Sequence, residues 1–269
     1  MKKDTLKQHA KSHAFLKVKT TVLGFILVST VLIGCKPNSY LPNTINAPLL
    51  KEKNEIRATI NFNNVQLAYA LTDNIGLMAN AQFSSMSQSS TSGTIVDEDI
   101  SKQTLGEIGV GYFKPLGENG VFEVYGGGGY GNVSINTKST GLVTGDFERT
   151  FTAPVSKFFI QPSIGFTNET FDIAFTPRLT GINYGDRKLD GYPVDELTKD
   201  RVLLADGLNT LKGLHMFFEP GVTFRVGIKW VKIQTQIFYV SQVSGEETTF
   251  IPVQIHLGIH ANIAKRHSK

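Results

Sequence analysis

Eight ionisable side chains lie in phase with one another along strand-like stretches of the chain: Glu107, Asp172, Arg178, Glu219, Arg225, Lys232, His256 and His260. Each falls on the polar phase of an apolar/polar alternation, so a sheet closed on itself would turn all eight into one interior. Three kinds of chemistry are open to such a set. Charges of both signs can pair into a salt-bridged plug, and burial demands pairing because an unpaired buried charge costs several kcal/mol. The same residues can line a narrow path for ions or small solutes. The two histidines can act as general bases if neighbouring strands bring a carboxylate and a nucleophile. One metal cannot bridge them, since four residues along a strand separate them by roughly 13 Å at ~3.3 Å per residue. A Gly-x-Ser-x-Gly elbow is absent from the sequence.

Two glycine clusters, Gly106 to Gly111 and Gly126 to Gly131 (GGGGYG), superficially suggest a phosphate cradle. A cradle needs a helix N-terminus directly after it to aim amides at the anion. Strand-like residues follow instead, with Val133 and Ile135 alternating, so the glycines are read as allowing curvature and making room for bulky neighbours. Val96-Asp97-Glu98-Asp99 lies beside a Ser/Thr-rich stretch without the spacing of an EF-hand loop, and is read as a solvated loop. No catalytic residue, cofactor or metal is assigned on these grounds.

The single cysteine, Cys35, excludes an internal disulfide and a cysteine-based zinc cluster. It follows an apolar run of 13 residues, Val22 to Gly34 (VLGFILVSTVLIG), behind a lysine-rich start. Such a run is too short to span a bilayer and has the size of a signal h-region. Leu32-Ile33-Gly34-Cys35 resembles the lipobox of bacterial lipoproteins, which implies removal of residues 1–34 and acylation of Cys35. The alternative is an ordinary signal peptide or a buried helix with an incidental cysteine. Lys36, rather than an aspartate, follows the cysteine, which favours the outer membrane. Six of the 27 bases but one of the 23 acids precede Cys35, so the formal charge of +4 belongs to this leader. Nucleic-acid binding thereby loses its main support.

What positions the chemistry is a series of alternating segments. Residues 35–53 show no clean period and read as a tether. From residue 54 the pattern turns strictly two-fold, as in Ile56, Ala58, Ile60 and Phe62 against Arg57, Thr59 and Asn61. Asn63-Asn64 reads as a two-residue hairpin turn. The last segment sets Ile251, Val253, Ile255, Leu257, Ile259, Ala261 and Ile263 opposite Gln254, His256, His260 and Asn262. Roughly ten such segments have the length of membrane-crossing strands. Short connections at 72–74, 115–120, 168–169 and 229–230 alternate with longer ones at 88–103, 138–152, 185–213 and 242–248. That asymmetry, with an even strand number, marks outer-membrane barrels. The expected fold is all-β: a transmembrane antiparallel barrel of eight to ten strands over residues 54–264, lipid face apolar and lumen polar, followed by a basic tail, 265–269. Val194, Leu197, Val202, Leu204, Ala205 and Leu208 recur at near-helical spacing and predict a short helix over the barrel mouth.

Several short stretches carry a family likeness: Tyr40, Asn46 and Ala47-Pro48-Leu49-Leu50-Lys51-Glu52-Lys53; Gln66-Leu67-Ala68-Tyr69-Ala70; Thr72-Asp73-Asn74-Ile75-Gly76; Glu107 to Tyr112 (EIGVGY); and Leu116-Gly117-Glu118-Asn119 with Phe122 to Gly126. In these the chain resembles uncharacterised lipid-anchored outer-membrane barrels of Bacteroidota-type bacteria. The likeness implies location and fold and carries no activity. The chain departs from barrels that end on an aromatic residue, since it closes Ala264-Lys265-Arg266-His267-Ser268-Lys269.

The sequence therefore points to a bacterial outer-membrane barrel lipoprotein with a structural, surface-interaction or limited passive-transport role. Its expected partners are the bilayer, through acylated Cys35 and the apolar face, and an extracellular partner at the long loops. Two alternatives stand beside it. One is a barrel enzyme acting on lipid or peptide at the rim. The other is a soluble lipocalin-like lipoprotein, which requires the two faces to be inverted.

Overall fold

The computed structural model describes residues 37–92, 95–141 and 146–267; the expected signal peptide and Cys35 lie outside the described residues. The elements in chain order are β1 (Ile56–Asn61), β2 (Asn64–Ala70), β3 (Ile75–Ser92), β4 (Ile95–Leu116), β5 (Gly120–Gly141), β6 (Phe147–Thr167), β7 (Phe171–Tyr184), β8 (Lys188–Asp190), α1 (Glu196–Ala205), β9 (Gly213–Gly227), β10 (Val231–Tyr239), β11 (Ser241–Ser244) and β12 (Val253–Ile263), with a final 3-10 turn at Lys265–His267. Ten of the 12 strands close into an antiparallel barrel. β1 to β7 pair in sequence, β7 pairs β9, β9 pairs β10, and β10 pairs β12. β12 returns to β1 in the register Ile56↔Ile263 to Asn61↔Gly258. β8 and β11 are short ribbons on β6 and β9. Closure leaves the barrel wall with no free edge, so its backbone needs no water.

One rim carries the short turns between β2 and β3, β4 and β5, β6 and β7, and β9 and β10. Gly117, at φ +66°, makes the second of these in a conformation that favours glycine. At the other rim the connections are unequal. β1 and β2 meet in a tight turn at Phe62-Asn63, one residue earlier than the Asn63-Asn64 turn expected, because Asn61 and Asn64 pair across it. β3–β4 and β5–β6 do not loop at 88–103 and 138–152 as the sequence suggests; they pair on to Ser92↔Ile95 and Ser139↔Phe147. The misreading has a physical cause. These stretches are polar on the outside and lack the apolar outer face that marks the lower strands.

Along β5 the two faces exchange character. Outward positions run Phe122, Val124 and Tyr130, then Asn132, Ser134, Asn136 and Lys138; inward ones mix Val121, Glu123, Tyr125 and Gly129, then turn apolar at Val133 and Ile135. β6 inverts at the paired level, from outward Ile160 and Phe158 to Ser156, and from inward Lys157 to Val155, Ala153 and Phe151. Below this line the barrel is apolar outside, and its interior carries the buried charges and amides beside a smaller apolar set that includes Met78, Phe113, Tyr125 and Phe159; above it, it is built like a water-soluble protein. The outward isoleucines of β12 belong to the lower zone, with Ile255 and Ile259 more than 60% exposed. Nine residues from Ile255 to Ile263, at ~3.3 Å each and a tilt of ~40°, rise about 20 Å, near the height of the apolar band of membrane barrels. Exposed Tyr69, Tyr112, Phe122, Phe166 and Trp230 gird the short-turn edge, and Phe62, Phe83, Tyr130 and Tyr239 lie toward the other. Below the line the faces are not inverted in the way a soluble lipocalin-like barrel requires.

Above the line, Val133, Ile135, Phe151, Val155, Ile182, Phe217 and Phe238 form a core closed by Leu203, Leu208 and Leu211 from α1 and the residues after it. The expected helix exists, N-capped by Asp195, whose side chain accepts from the Thr198 N–H. Its buried residue is Leu203, while Val194, Leu197 and Leu204 face out.

Candidate functional site

The lumen is occupied by the chain itself. Residues 37–50 have no regular secondary structure and every one of them is buried, although the sequence reads 35–53 as a tether. A tether would lie in water; this stretch runs through the bore. Ser39 sits at the long-loop rim, where its N–H donates to the Thr249 carbonyl (2.9 Å) and its carbonyl accepts from the Tyr184 hydroxyl (3.0 Å). At the opposite rim the Lys51 N–H donates to Glu55 (2.7 Å), the Lys51 ammonium to the Glu118 carbonyl, and the Lys53 N–H to Asp73 (3.3 Å).

Buried backbone must be hydrogen-bonded, and here lumen side chains supply partners that a neighbouring strand would otherwise provide. The Gln236 amide accepts from the Ile45 N–H (2.8 Å) and donates to the Ile45 carbonyl (2.7 Å), as one rung of a β-ladder does. Gln103 does the same at Leu41, at 3.3 and 2.8 Å, with Gln82 on the same carbonyl at 3.0 Å. Gln66 donates to the Thr44 carbonyl (3.1 Å) and Gln161 to that of Asn46 (2.6 Å). Arg178 and Arg225 donate to the carbonyls of Asn43 (2.5 Å) and Ala47 (2.8 Å), and Glu123 accepts from the Leu49 N–H (3.0 Å). Apolar plug residues fill what remains: Tyr40 stacks on Phe217 and Leu50 packs with Phe113 and Tyr125.

All eight residues singled out above point into this bore, where they fall into separate groups. Near the short-turn rim Asp172 takes Lys232 at 2.6 Å, Arg57 at 3.6 Å and Arg225 at 3.7 Å, and accepts from Thr167 (2.6 Å). Arg57 also bonds Glu55 at 2.7 Å, and Arg266 of the basic tail grips Glu55 through two nitrogens at 2.8 and 2.7 Å. Higher up, Glu107 pairs with Lys157 at 2.6 Å, and Glu219 pairs with Arg178 at 2.6 Å while accepting from Thr180 (2.9 Å) and the Tyr40 hydroxyl. His260 meets the Thr59 hydroxyl at 2.9 Å, and His256 stacks on Phe238. Neither histidine is hydrogen-bonded to a carboxylate among the described residues, so neither has the oriented partner that general-base chemistry uses.

Sequence reasoning missed Glu55, Arg57, Glu123 and Lys157, each on the inward phase of its strand or just before it, and all of the plug. Asp97 and Asp99 lie in β4, not in a loop, with Glu98 on the opposite face; Asp99 accepts from the Thr137 hydroxyl at 2.6 Å. Among the described residues, no group of three or more His, Cys, Asp or Glu could hold a metal ion.

Comparisons with known proteins are sparse. No family model matches the chain, and no curated protein matches it. Among solved structures it is similar to OmpT, an outer membrane protein of Vibrio cholerae, at 7% identity and a TM-score of 0.21, over 78% of this chain and 95% of that one. A likeness at that level says nothing of activity or substrate.

Proposed function

We propose that this chain is a lipid-anchored outer-membrane barrel, closed by its own N-terminal segment, that serves the envelope as a structural or surface-interaction element rather than as a conduit. The apolar band and the exchange of faces along β5 and β6 support insertion in a membrane. The short apolar leader ahead of Cys35 supports the anchor. One observation carries the reading of role: residues 37–50 are buried throughout and hydrogen-bonded to the wall at nearly every step, so the bore is filled. Exposed Val194, Leu197 and Leu204 on and beside α1 favour contact with another molecule at the long-loop face.

Planar-bilayer recording tests the proposal. The full-length protein is expected to give no steady conductance, and a variant lacking residues 37–50 is expected to give an ohmic one. Heat-modifiable gel migration shows that both are folded. Steady conductance from the intact protein overturns the closed-barrel reading.

A further inference from the structure

The direction of the plug fixes where the chain before it must emerge. Residues 51–53 sit among the short turns, while Ser39 bonds Thr249 beyond the top of the barrel and the Asn38 side-chain amide lies 3.0 Å from the Met86 sulfur. Met86 is three residues beyond Phe83, the last outward apolar residue of β3. The segment therefore leaves the bore on the long-loop side, just above the apolar band.

It also leaves where the wall is lowest. β3 to β6 rise far above the band, whereas the β1–β2 hairpin stops at Phe62-Asn63, level with Phe83, whose N–H donates to the Asn63 carbonyl at 2.8 Å. Tyr40, Leu41 and Pro42 border a small cavity there with Asn63, Met86 and Ile251. Phe62 at the hairpin tip is fully exposed. Cys35 precedes Pro37 by two residues, a reach of about 7 Å for an extended chain. The opposite leaflet is out of reach, because the 14 residues between are held along the whole bore.

We propose that the plug emerges from the bore on the long-loop side, so that a lipid on Cys35 belongs to the leaflet bordered by the long loops and the plug carries the anchor across the membrane through the barrel's own lumen. The proposal rests on the lipid-anchor reading above. It makes the lipid and the long loops share one side, with the short turns on the other.

Epitope placement in cells tests it, with one short tag inserted after Lys36, after Gly191 in a long loop, or after Glu118 in a short turn. Antibody accessibility is compared between intact and permeabilised cells. The Lys36 tag is expected to match Gly191 and to oppose Glu118; matching Glu118 overturns the proposal. Because a tag can disturb assembly, the untagged protein is also labelled with a membrane-impermeant amine reagent. Lys36 should then react with Lys188 of the long-loop side and not with Lys229 of the short-turn side, and the reverse again overturns the proposal. Alkyne-palmitate incorporation, lost in Cys35→Ser, reports the anchor separately. Absence of label from the wild type removes the lipid-anchor reading and the lipid's placement with it, while the tags still report the plug's direction.

Discussion

Changing Glu219 to Gln removes one charge from the bore and nearly nothing else, which makes it the sharpest probe of a dry, filled lumen. Glu219 and Arg178 have fully buried side chains and meet at 2.6 Å. Among the described residues the Arg178 guanidinium donates, besides Glu219, only to the Asn43 carbonyl, so in Glu219→Gln its nearest carboxylate charge is Glu107, already paired with Lys157. Two buried cations would then face one carboxylate. Breaking one side of a buried pair costs about 3–5 kcal/mol, and the Tyr40 hydroxyl at the head of the plug loses its charged acceptor as well. Arg178→Met should cost a similar amount, leaving Glu219 uncompensated. The double variant removes both charges, and it should be destabilised by about 2 kcal/mol less than the sum of the singles. Denaturant unfolding in lipid vesicles, followed by gel migration and by the fluorescence of Trp230, measures all three. A cost below about 1 kcal/mol for Glu219→Gln with an additive double variant would show that water reaches the pair, and the filled-bore argument would fail.

Three further outcomes are expected. Ile259→Arg, in the middle of the β12 band, should destabilise the barrel in vesicles by about 2–4 kcal/mol; Ser87→Arg, outward but above the band, should be within ~0.5 kcal/mol of wild type, and equal effects would remove the membrane boundary drawn here. Gly127→Ala should cost about 1–3 kcal/mol, since a Cβ there would lie 2.2 Å from the Ile108 carbonyl oxygen and 2.6 Å from Phe159, whereas Gly126→Ala, with its nearest atom at 3.7 Å, should be tolerated. Asp206, beside α1, accepts from Arg149 at 3.1 Å and from Tyr192 at 3.2 Å, yet burial lifts its carboxyl above the ordinary range and Arg149 offsets only part of that. The folded cap thus holds this proton more tightly than the unfolded chain, so it is firmest in acid and loosens as pH climbs from about 4 through the lifted value; protease cutting within 192–212 should rise over that range, and a fall would reverse the sign.

The barrel was legible because one face of each lower strand is apolar and the other polar, and alternation is a local signal. Ile255, Leu257 and Ile259 announce their face within five residues. The upper halves of β3 to β6 were not, since Ser85, Ser87 and Ser89 outside and Gln88 inside offer no contrast of faces. The helix was visible in its spacing, yet the buried residue is Leu203 and not its neighbour Leu204, because what lies beneath it is decided by tertiary packing. The eight lumen residues could be placed on a face. Their grouping could not, as it depends on which strands become neighbours: Lys157 and Glu107 meet over Gly129, the β5 residue that is in register with both.

The plug escaped notice for a different reason, and its signature lies on the wall rather than in the plug. A chain buried on all sides has no face to alternate, so residues 37–50 carry no period. Their backbone groups must still be satisfied, and a barrel wall already spends its own amides on its neighbours. Inward side chains remain, and a long carboxamide can donate to a carbonyl through its nitrogen while accepting from an N–H through its oxygen. Gln66, Gln82, Gln103, Gln161 and Gln236 all point inward, and two of them span both groups of one plug residue. A lumen filled by its own side chains can be satisfied by charge pairs alone, and a conducting one has water to bond. Recurring inward glutamines on separate strands are what a bore needs when its guest is a peptide.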